Sequence, residues 1–328
     1  MKGYYKKRGR FLNPHVGRIK PSLFDIALWQ LGIYRDPQKP EACPKEFIYP
    51  NPKESLSPSK PKATWINHST FLIEVGGLTL LTDPIWEERC SPLKFIGPKR
   101  NHPPPISLDQ LPKVDLVLIS HDHYDHLCFQ TVSKLQKKNP ELIWIVPLGV
   151  KRRLLRMGMQ HILELEWWQE VSLAIHGKGF VVTSVPSQHF SGRGLFDKNR
   201  TLWTGYVIDL LEDQTPPKRL YFAGDTGYNK EDFKEIGEKF NGIDLSLIPI
   251  GSYIPRCVMQ PIHICPIHAA LIHEEVRSKL SIGMHWKTFR LSGETLEQPP
   301  YDLFCELKKK KIDPLHFRVL EPGQTINW

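Results

Sequence analysis

Short apolar runs separated by turn-forming residues recur from residue 63 to the end of the chain. Continuous apolar runs of this length predict strands that are buried on both faces. The clearest examples cover residues 114–119, 142–146, 180–185 and 245–250. Two further apolar stretches, 65–74 and 78–82, flank a Gly-Gly pair and predict a hairpin. The main part of the chain is therefore expected to be rich in strands.

Segments with a helical pattern alternate with these strands. They cover residues 131–138, 151–157, 230–240 and 268–279. Strands that alternate with helices predict an α/β fold. No repeat of solenoid length is visible, but two β-rich halves that each bear candidate ligands fit an internally duplicated sandwich.

Residues 1–62 differ from the rest and predict an N-terminal extension, which leaves 63–328 as the main domain. A basic arm over 1–20 precedes a helix predicted at 23–34, and a linker rich in Pro and Ser follows over 36–62. The predicted helix is apolar nearly all round. Behind a basic arm, such a helix can lie at a lipid interface, or it can pack on the main domain or on the second subunit of a homodimer.

Charge adds a preference for anionic partners, because the formal net charge is +9 and the pI is near 9.1. No RNA-recognition motif accompanies this charge, so we expect a membrane surface or a phosphate-bearing substrate and no nucleic acid. No apolar run is long enough for a membrane span, and the basic N-terminus lacks the apolar core of a signal peptide. The six cysteines are scattered, and we expect a cytoplasmic protein that associates peripherally with membranes.

Candidate chemistry is concentrated directly after the 114–119 strand, in the motif H-x-H-x-D-H. It comprises His121, His123, Asp125 and His126. Imidazoles at alternate positions of a loop that leaves a strand can converge on one metal ion, and the adjacent carboxylate and third imidazole can turn toward a second. Histidine nitrogen and carboxylate oxygen suit zinc best among common divalent ions, with iron or manganese as alternatives.

Three further candidate ligands follow strand-like runs later in the chain: His189, Asp225 and His285. A two-metal site needs one ligand to complete each coordination shell and one group to bridge the pair, and these residues match that need. His68 and Asp83 lie at ends of the predicted hairpin strands, where they could hold ligand imidazoles in one tautomer. A turn-forming role for Asp83, which precedes a proline, is also open.

The order of these residues resembles the metallo-β-lactamase superfamily. The flanking runs are similar to its family of N-acyl-phosphatidylethanolamine-hydrolysing phospholipases D, from Thr64 to Pro300. They include T-D-P at 82–84, W-W at 167–168, G-D-T-G at 224–227 and H-W at 285–286. The resemblance implies an α/β architecture, the αββα sandwich of two mixed β-sheets flanked by helices.

The resemblance also implies two zinc ions per chain. One would be held by His121, His123 and His189, the other by Asp125, His126 and His285, with Asp225 as the bridge. The implied reaction is hydrolysis of N-acyl-phosphatidylethanolamine to N-acylethanolamine and phosphatidic acid, with a hydroxide shared by the metals as nucleophile. No G-x-S-x-G or H-K-D motif supports a covalent route instead.

The resemblance makes His263, besides Asp225, a candidate catalytic residue that protonates the leaving group. The family pattern there is Q-H-x-D-P-E-E-A, whereas this chain reads I-H-I-C-P-I-H-A over 262–269. This difference affects the orientation of His263 and the head-group selectivity, and a structural role for His263 stays open. Candidate residues of a substrate groove are Trp167, Trp168, Tyr253 and Arg256, although core packing is the commoner fate of paired tryptophans.

The same metal motif allows a second function, because it is specific only to the superfamily. A dinuclear lactonase or phosphodiesterase acting on a small soluble substrate or on nucleic acid would need the same ligands. A membrane-binding scaffold with a degenerate site is disfavoured, since all seven candidate ligands are present.

Overall fold

Two seven-stranded β-sheets and one short hairpin form the sheets of the computed structural model, which describes residues 6–16, 24, 28, 31, 33, 41–52, 55–211 and 217–328. The hairpin pairs β1 (Lys6–Lys7) with β2 (Arg10–Phe11). The helix predicted at 23–34 falls mostly outside the described residues.

The first sheet combines the early strands of the main domain with the last strand of the chain. Its spatial order is β16 (Thr325–Asn327), β3 (Lys62–Asn67), β4 (Thr70–Val75), β5 (Leu78–Thr82), β6 (Leu116–Leu118), β7 (Ile143–Pro147) and β8 (Ile162–Leu165). Pairing is antiparallel from β16 to β5 and parallel from β5 to β8. The sheet is therefore mixed.

The second sheet has the same plan. Its spatial order is β15 (Phe317–Arg318), β14 (Ser278–Met284), β13 (Ile243–Pro249), β12 (Lys218–Phe222), β11 (Gly205–Leu211), β10 (Lys178–Val185) and β9 (Glu170–Ile175). Pairing is antiparallel from β9 to β12 and parallel from β12 to β15. The two halves of the domain thus share one strand pattern.

Helices connect and flank the sheets. In the described part of the chain they are α1 (Phe129–Lys138), α2 (Lys151–Leu155), α3 (Asp232–Phe240), α4 (Arg256–Met259), α5 (Pro266–Glu275) and α6 (Gln298–Lys310), with a 3-10 turn at Pro314–His316. None of these helices is both long and apolar enough to cross a bilayer.

The main core lies between the two sheets. Trp65 and Phe71 from the first sheet and Tyr206 and Phe222 from the second belong to one buried apolar cluster. A second cluster packs α1 against the other face of the first sheet, where Leu135 contacts the group that includes Trp144. The apolar runs are buried on both faces. The expected αββα sandwich of two mixed sheets is confirmed by the strand order and by the family match.

Two predicted elements end elsewhere than expected. The strand expected at 65–74 is two strands, because His68 has a φ of 43° and turns the chain between β3 and β4. The helix expected at 268–279 ends at Glu275, since Arg277 has a φ of 56° and Ser278 already pairs with Ile243 of β13. Both differences arise at turns where a residue other than glycine has a positive φ. The sequence carries little signal for such turns.

Candidate metal centre

The seven predicted ligands meet at one edge of the sandwich because each follows the carboxyl end of a strand. The H-x-H-x-D-H loop follows β6, His189 follows β10, Asp225 follows β12 and His285 follows β14. Strands of both sheets therefore deliver side chains to one place. The structure brings all seven together in overlapping groups of potential ligand atoms.

Local backbone geometry aims these side chains inward. The His126 and Leu127 amides donate to the carbonyl of His123 at 3.2 and 2.8 Å, which closes a tight turn and brings Asp125 and His126 round. Gly224, just before Asp225, has a φ of 61°, and a Cβ there would lie 2.8 Å from the Thr204 carbonyl oxygen. Only glycine fits this approach, so the G-D-T-G sequence is needed to place the Asp225 carboxylate.

Asp225 is the centre of the site. Its Oδ2 lies 3.1 Å from His285 Nε2 and 3.2 Å from His126 Nε2. It also lies 3.7 Å from His189 Nε2 and 4.0 Å from His121 Nε2. One carboxylate oxygen is thus near histidines of both predicted ligand triads, which is the position that a bridging ligand requires.

Each triad is compact. His123 Nδ1 lies 2.8 Å from His121 Nε2 and 3.2 Å from His189 Nε2, so these three nitrogens face one point. In the other triad, Asp125 Oδ2 lies 3.3 Å from His126 Nε2 and 3.6 Å from His285 Nε2.

Asp83 and His68 hold ligand side chains from behind. Asp83 Oδ2 lies 2.7 Å from His126 Nδ1, and Oδ1 accepts the Ser120 amide at 2.7 Å. The Ser120 hydroxyl donates to Asp83 at 2.5 Å and lies 2.9 Å from His121 Nδ1, so one carboxylate supports two ligand imidazoles. His68 Nε2 lies 3.0 Å from Asp125 Oδ2. Sequence reasoning missed Ser120, because a serine before a histidine is too common to be a signal.

The residues present fit a bound metal. Within the described chain, the buried atoms His126 Nε2, His285 Nε2 and Asp225 Oδ1 find no hydrogen-bond partner. Such atoms are rare in folded proteins, and here they belong to side chains that converge. Neutral imidazole nitrogen and carboxylate oxygen are the donors that zinc and similar divalent ions take.

Electrostatics supports the same interpretation. Burial, reinforced by neighbouring histidines, lowers the pKa of His121 far below its usual range, and burial lowers those of His123 and His189 to about 4 and about 3. These nitrogens keep free lone pairs at neutral pH. Burial opposes charge on His285, but the carboxylates of Asp225 and Asp125 outweigh it and raise its pKa to about 9. The two carboxylates thus attract positive charge to this spot.

His263 lies beside the centre. Its Nδ1 is 3.8 Å from Asp225 Oδ2, and its ring centroid is 5.0 Å from that of His189. Burial lowers the pKa of His263 to about 3, so the imidazole is neutral at pH 7. Its position beside Asp225 allows contact with a molecule bound at this centre.

Three of the four candidate groove residues, Trp167, Tyr253 and Arg256, are buried, and Trp168 is partly buried. Trp167 is buried, and its Nε1 donates to the Trp203 carbonyl at 2.7 Å, so core packing describes it and a surface groove does not. Trp168 packs partly buried against the same cluster. Tyr253 is 1% exposed and donates to Asp302, and Arg256 is buried near its ring.

Known proteins share this fold. Residues 79–286 match the family model described as beta-lactamase superfamily domain. An isothiocyanate hydrolase from Delia radicum gut bacteria superposes with a TM-score of 0.62 at 18% identity, covering 81% of this chain and 98% of that one. Fold, ligand set and family model together define a metallohydrolase of the beta-lactamase superfamily.

Two sequence relatives narrow this class. N-acyl-phosphatidylethanolamine-hydrolyzing phospholipase D 1 of Caenorhabditis elegans is 40% identical over 256 residues, which cover 76% of this chain and 70% of the relative. An uncharacterized protein of Mycobacterium bovis is 37% identical, covering 92% of this chain and 77% of the relative. The chain belongs to the family of N-acyl-phosphatidylethanolamine-hydrolysing phospholipases D.

Asp83→Ala should weaken metal binding about 10- to 100-fold, because it removes the group that orients His126 and, through Ser120, His121. The measurement is titration of the metal-free protein with Zn²⁺ against a competing chelator.

Asp115→Ala is the matched control. Asp115 also bonds a histidine, His176 at 3.0 Å, and a backbone amide, that of Thr79 at 3.0 Å, but it touches no predicted ligand. Equal zinc affinity in both variants would contradict the role assigned to Asp83.

Proposed function

We propose that the protein is a zinc-dependent phospholipase D that hydrolyses N-acyl-phosphatidylethanolamine to N-acylethanolamine and phosphatidic acid. The observation that carries the proposal is the seven-ligand centre around Asp225, in a chain 40% identical to a relative of that name. Two zinc ions per chain are proposed from the donor set. When bound, they supply a hydroxide nucleophile near neutral pH and neutralise charge on a phosphoryl group.

The protein's own residues would hold these metal ions in place. His121, His123 and His189 form one triad, Asp125, His126 and His285 the other, and Asp225 reaches both. In the reaction, the oxygen of water becomes bonded to phosphorus and the bond from phosphorus to the ethanolamide oxygen breaks. The phosphate stays on the diacylglycerol as phosphatidic acid, and the ethanolamide leaves with a proton.

His263 is proposed as the residue that contacts the reacting phosphate and assists that proton transfer. It is the histidine beside Asp225 that belongs to neither triad, and its Nδ1 finds no hydrogen-bond partner among the described residues. A neutral imidazole still carries one N–H that can donate to a phosphoryl or leaving-group oxygen.

The substrate is proposed to reach the site from a membrane surface to which the protein attaches peripherally from the cytoplasm. Two loops next to the centre expose large apolar side chains: Leu195 and Phe196 are 92% and 79% exposed, and Phe95 is 87% exposed. Both loops are anchored at Tyr124 in the ligand loop: Arg193 lies 3.8 Å from its ring centroid, and the ring packs on the cluster that contains Cys90. Lysines in both loops, Lys94 and Lys198, suit an anionic surface. A homodimer remains part of the proposal.

The second candidate function is that of a dinuclear lactonase or phosphodiesterase that acts on a soluble substrate. One observation favours it: the side chains expected to line an acyl groove, Trp167 and Tyr253 above all, are packed inside the protein. The divergent 262–269 segment next to the site points the same way.

Mass spectrometry of the products separates the two functions. Zinc-loaded protein mixed with N-acyl-phosphatidylethanolamine in micelles should release N-acylethanolamine and phosphatidic acid. Asp225→Asn should abolish the release, because an amide is neutral and cannot hold two cations as a carboxylate does. If protein that holds two metal ions does not hydrolyse N-acyl-phosphatidylethanolamine, the phospholipase proposal is wrong. Soluble phosphodiesters and lactones would then be the substrates to test.

His263→Gln should lower kcat about 10²- to 10⁴-fold while both metal equivalents stay bound, since His263 belongs to neither triad. The decisive check is the metal content of the assayed sample, measured by inductively coupled plasma mass spectrometry. Loss of one metal would make His263 a ligand, and an unchanged kcat would make it structural.

The double substitution Leu195→Ser with Phe196→Ser should reduce binding to phosphatidylserine vesicles at least about 10-fold, because two exposed apolar side chains no longer leave water on insertion. Co-sedimentation measures it. Ile48→Ser is the control, since Ile48 is 85% exposed but lies in a segment that packs on α6. Equal vesicle binding by both variants would remove the loop from the proposed surface.

A further inference from the structure

The first described segment, residues 6–16, packs on the loop that carries His189. The Phe11 amide donates to the Asn199 carbonyl at 2.8 Å, and Asn199 Nδ2 returns a bond to the Phe11 carbonyl at 3.1 Å. Phe11 is 2% exposed and packs in the cluster of Trp167 and Trp203. This part of the expected extension is therefore built into the main domain, next to the metal centre.

Asn13 makes the direct contact with the ligand residue. Its Nδ2 donates to the His189 carbonyl at 2.8 Å, and its Oδ1 accepts from the His189 amide at 3.2 Å. Oδ1 also accepts from Trp203 Nε1 at 3.1 Å. Asn13 is 4% exposed, so solvent does not compete for these bonds. One side-chain amide thus satisfies both backbone groups of a buried metal ligand.

The His189 ring is fixed from the other side. Its Nδ1 lies 2.8 Å from the Ile262 carbonyl and therefore carries the proton, which leaves the lone pair of Nε2 facing His123 and Asp225. The ring orientation depends on Ile262, and the backbone position depends on Asn13. Without Asn13, a buried amide and a buried carbonyl lose their partners, and the loop must shift to satisfy them.

We propose that Asn13 is a positioning residue of the metal centre and that the N-terminal arm clamps the His189 ligand. Few side chains serve this role, since it takes a donor and an acceptor at once and no charge: Ala supplies neither, and Asp lacks the donor. The proposal depends on the metal site and is independent of which substrate is hydrolysed, so its failure would leave the phospholipase proposal untouched.

The Asn13→Ala variant should bind one of two zinc equivalents about 10-fold more weakly and the other with unchanged affinity, because only His189 loses its support. Competitive chelator titration measures both affinities. With Co²⁺ in place of Zn²⁺, the visible absorption bands of the weakened site should shift, since its ligand geometry changes.

Asn51→Ala is the matched control. Asn51, like Asn13, lies in the N-terminal extension and contacts the main domain through its side chain. Its Nδ2 donates to the Val319 carbonyl at 3.1 Å and to Gln324 Oε1 at 2.8 Å, and neither partner is a predicted metal ligand. It should lower the melting temperature without changing zinc affinity or the Co²⁺ spectrum. Wild-type affinities and spectrum in Asn13→Ala would overturn the proposal.

Hydrogen exchange on the unmodified protein tests the same coupling without a variant. If the arm stabilises the zinc-bound site, zinc must stabilise the docked arm by the same factor. Peptides covering residues 6–16 should therefore exchange more slowly with zinc than without it. Exchange that is identical in both states would also overturn the proposal.

Discussion

The site depends on one buried carboxylate surrounded by imidazoles. Asp225 is 3% exposed and lies within hydrogen-bond range of His126 and His285. Burial alone would raise the pKa of Asp225, but the positive charges of these two histidines outweigh it and hold the pKa well below its usual range. A charge buried so deeply is stable only with positive partners near it, and the loops that carry His126 and His285 supply them.

Much of this centre could be predicted from the sequence because metal ligation leaves a dense local signal. Four ligands within one loop, and three more at strand ends, are recognisable residue types at recognisable places. The apolar runs predict the strands, whereas the arrangement of two mixed sheets is implied by the family resemblance. These features are local in the chain, and local patterns can be recognised from the sequence alone.

Features that depend on contacts between distant residues could not be predicted. Asn13 and His189 are far apart in the chain, and an asparagine in a basic arm has no distinctive neighbourhood. Ser120 needed the position of Asp83 to gain meaning. The sequence allows Trp167 either a surface or a core position, and the hydrogen bond from its indole N–H to the Trp203 carbonyl places it in the core. In each case the partner, and not the residue type, determines the role.

The division of ligands between the sheets has a mechanical consequence. The first sheet delivers the ligand loop after β6, whereas His189, Asp225 and His285 come from the second. A metal ion bound between these sets would cross-link the two layers and close long chain loops, much as a disulfide does. Sliding one layer against the other would then break coordination bonds, so bound metal would stiffen the edge that carries the ligands.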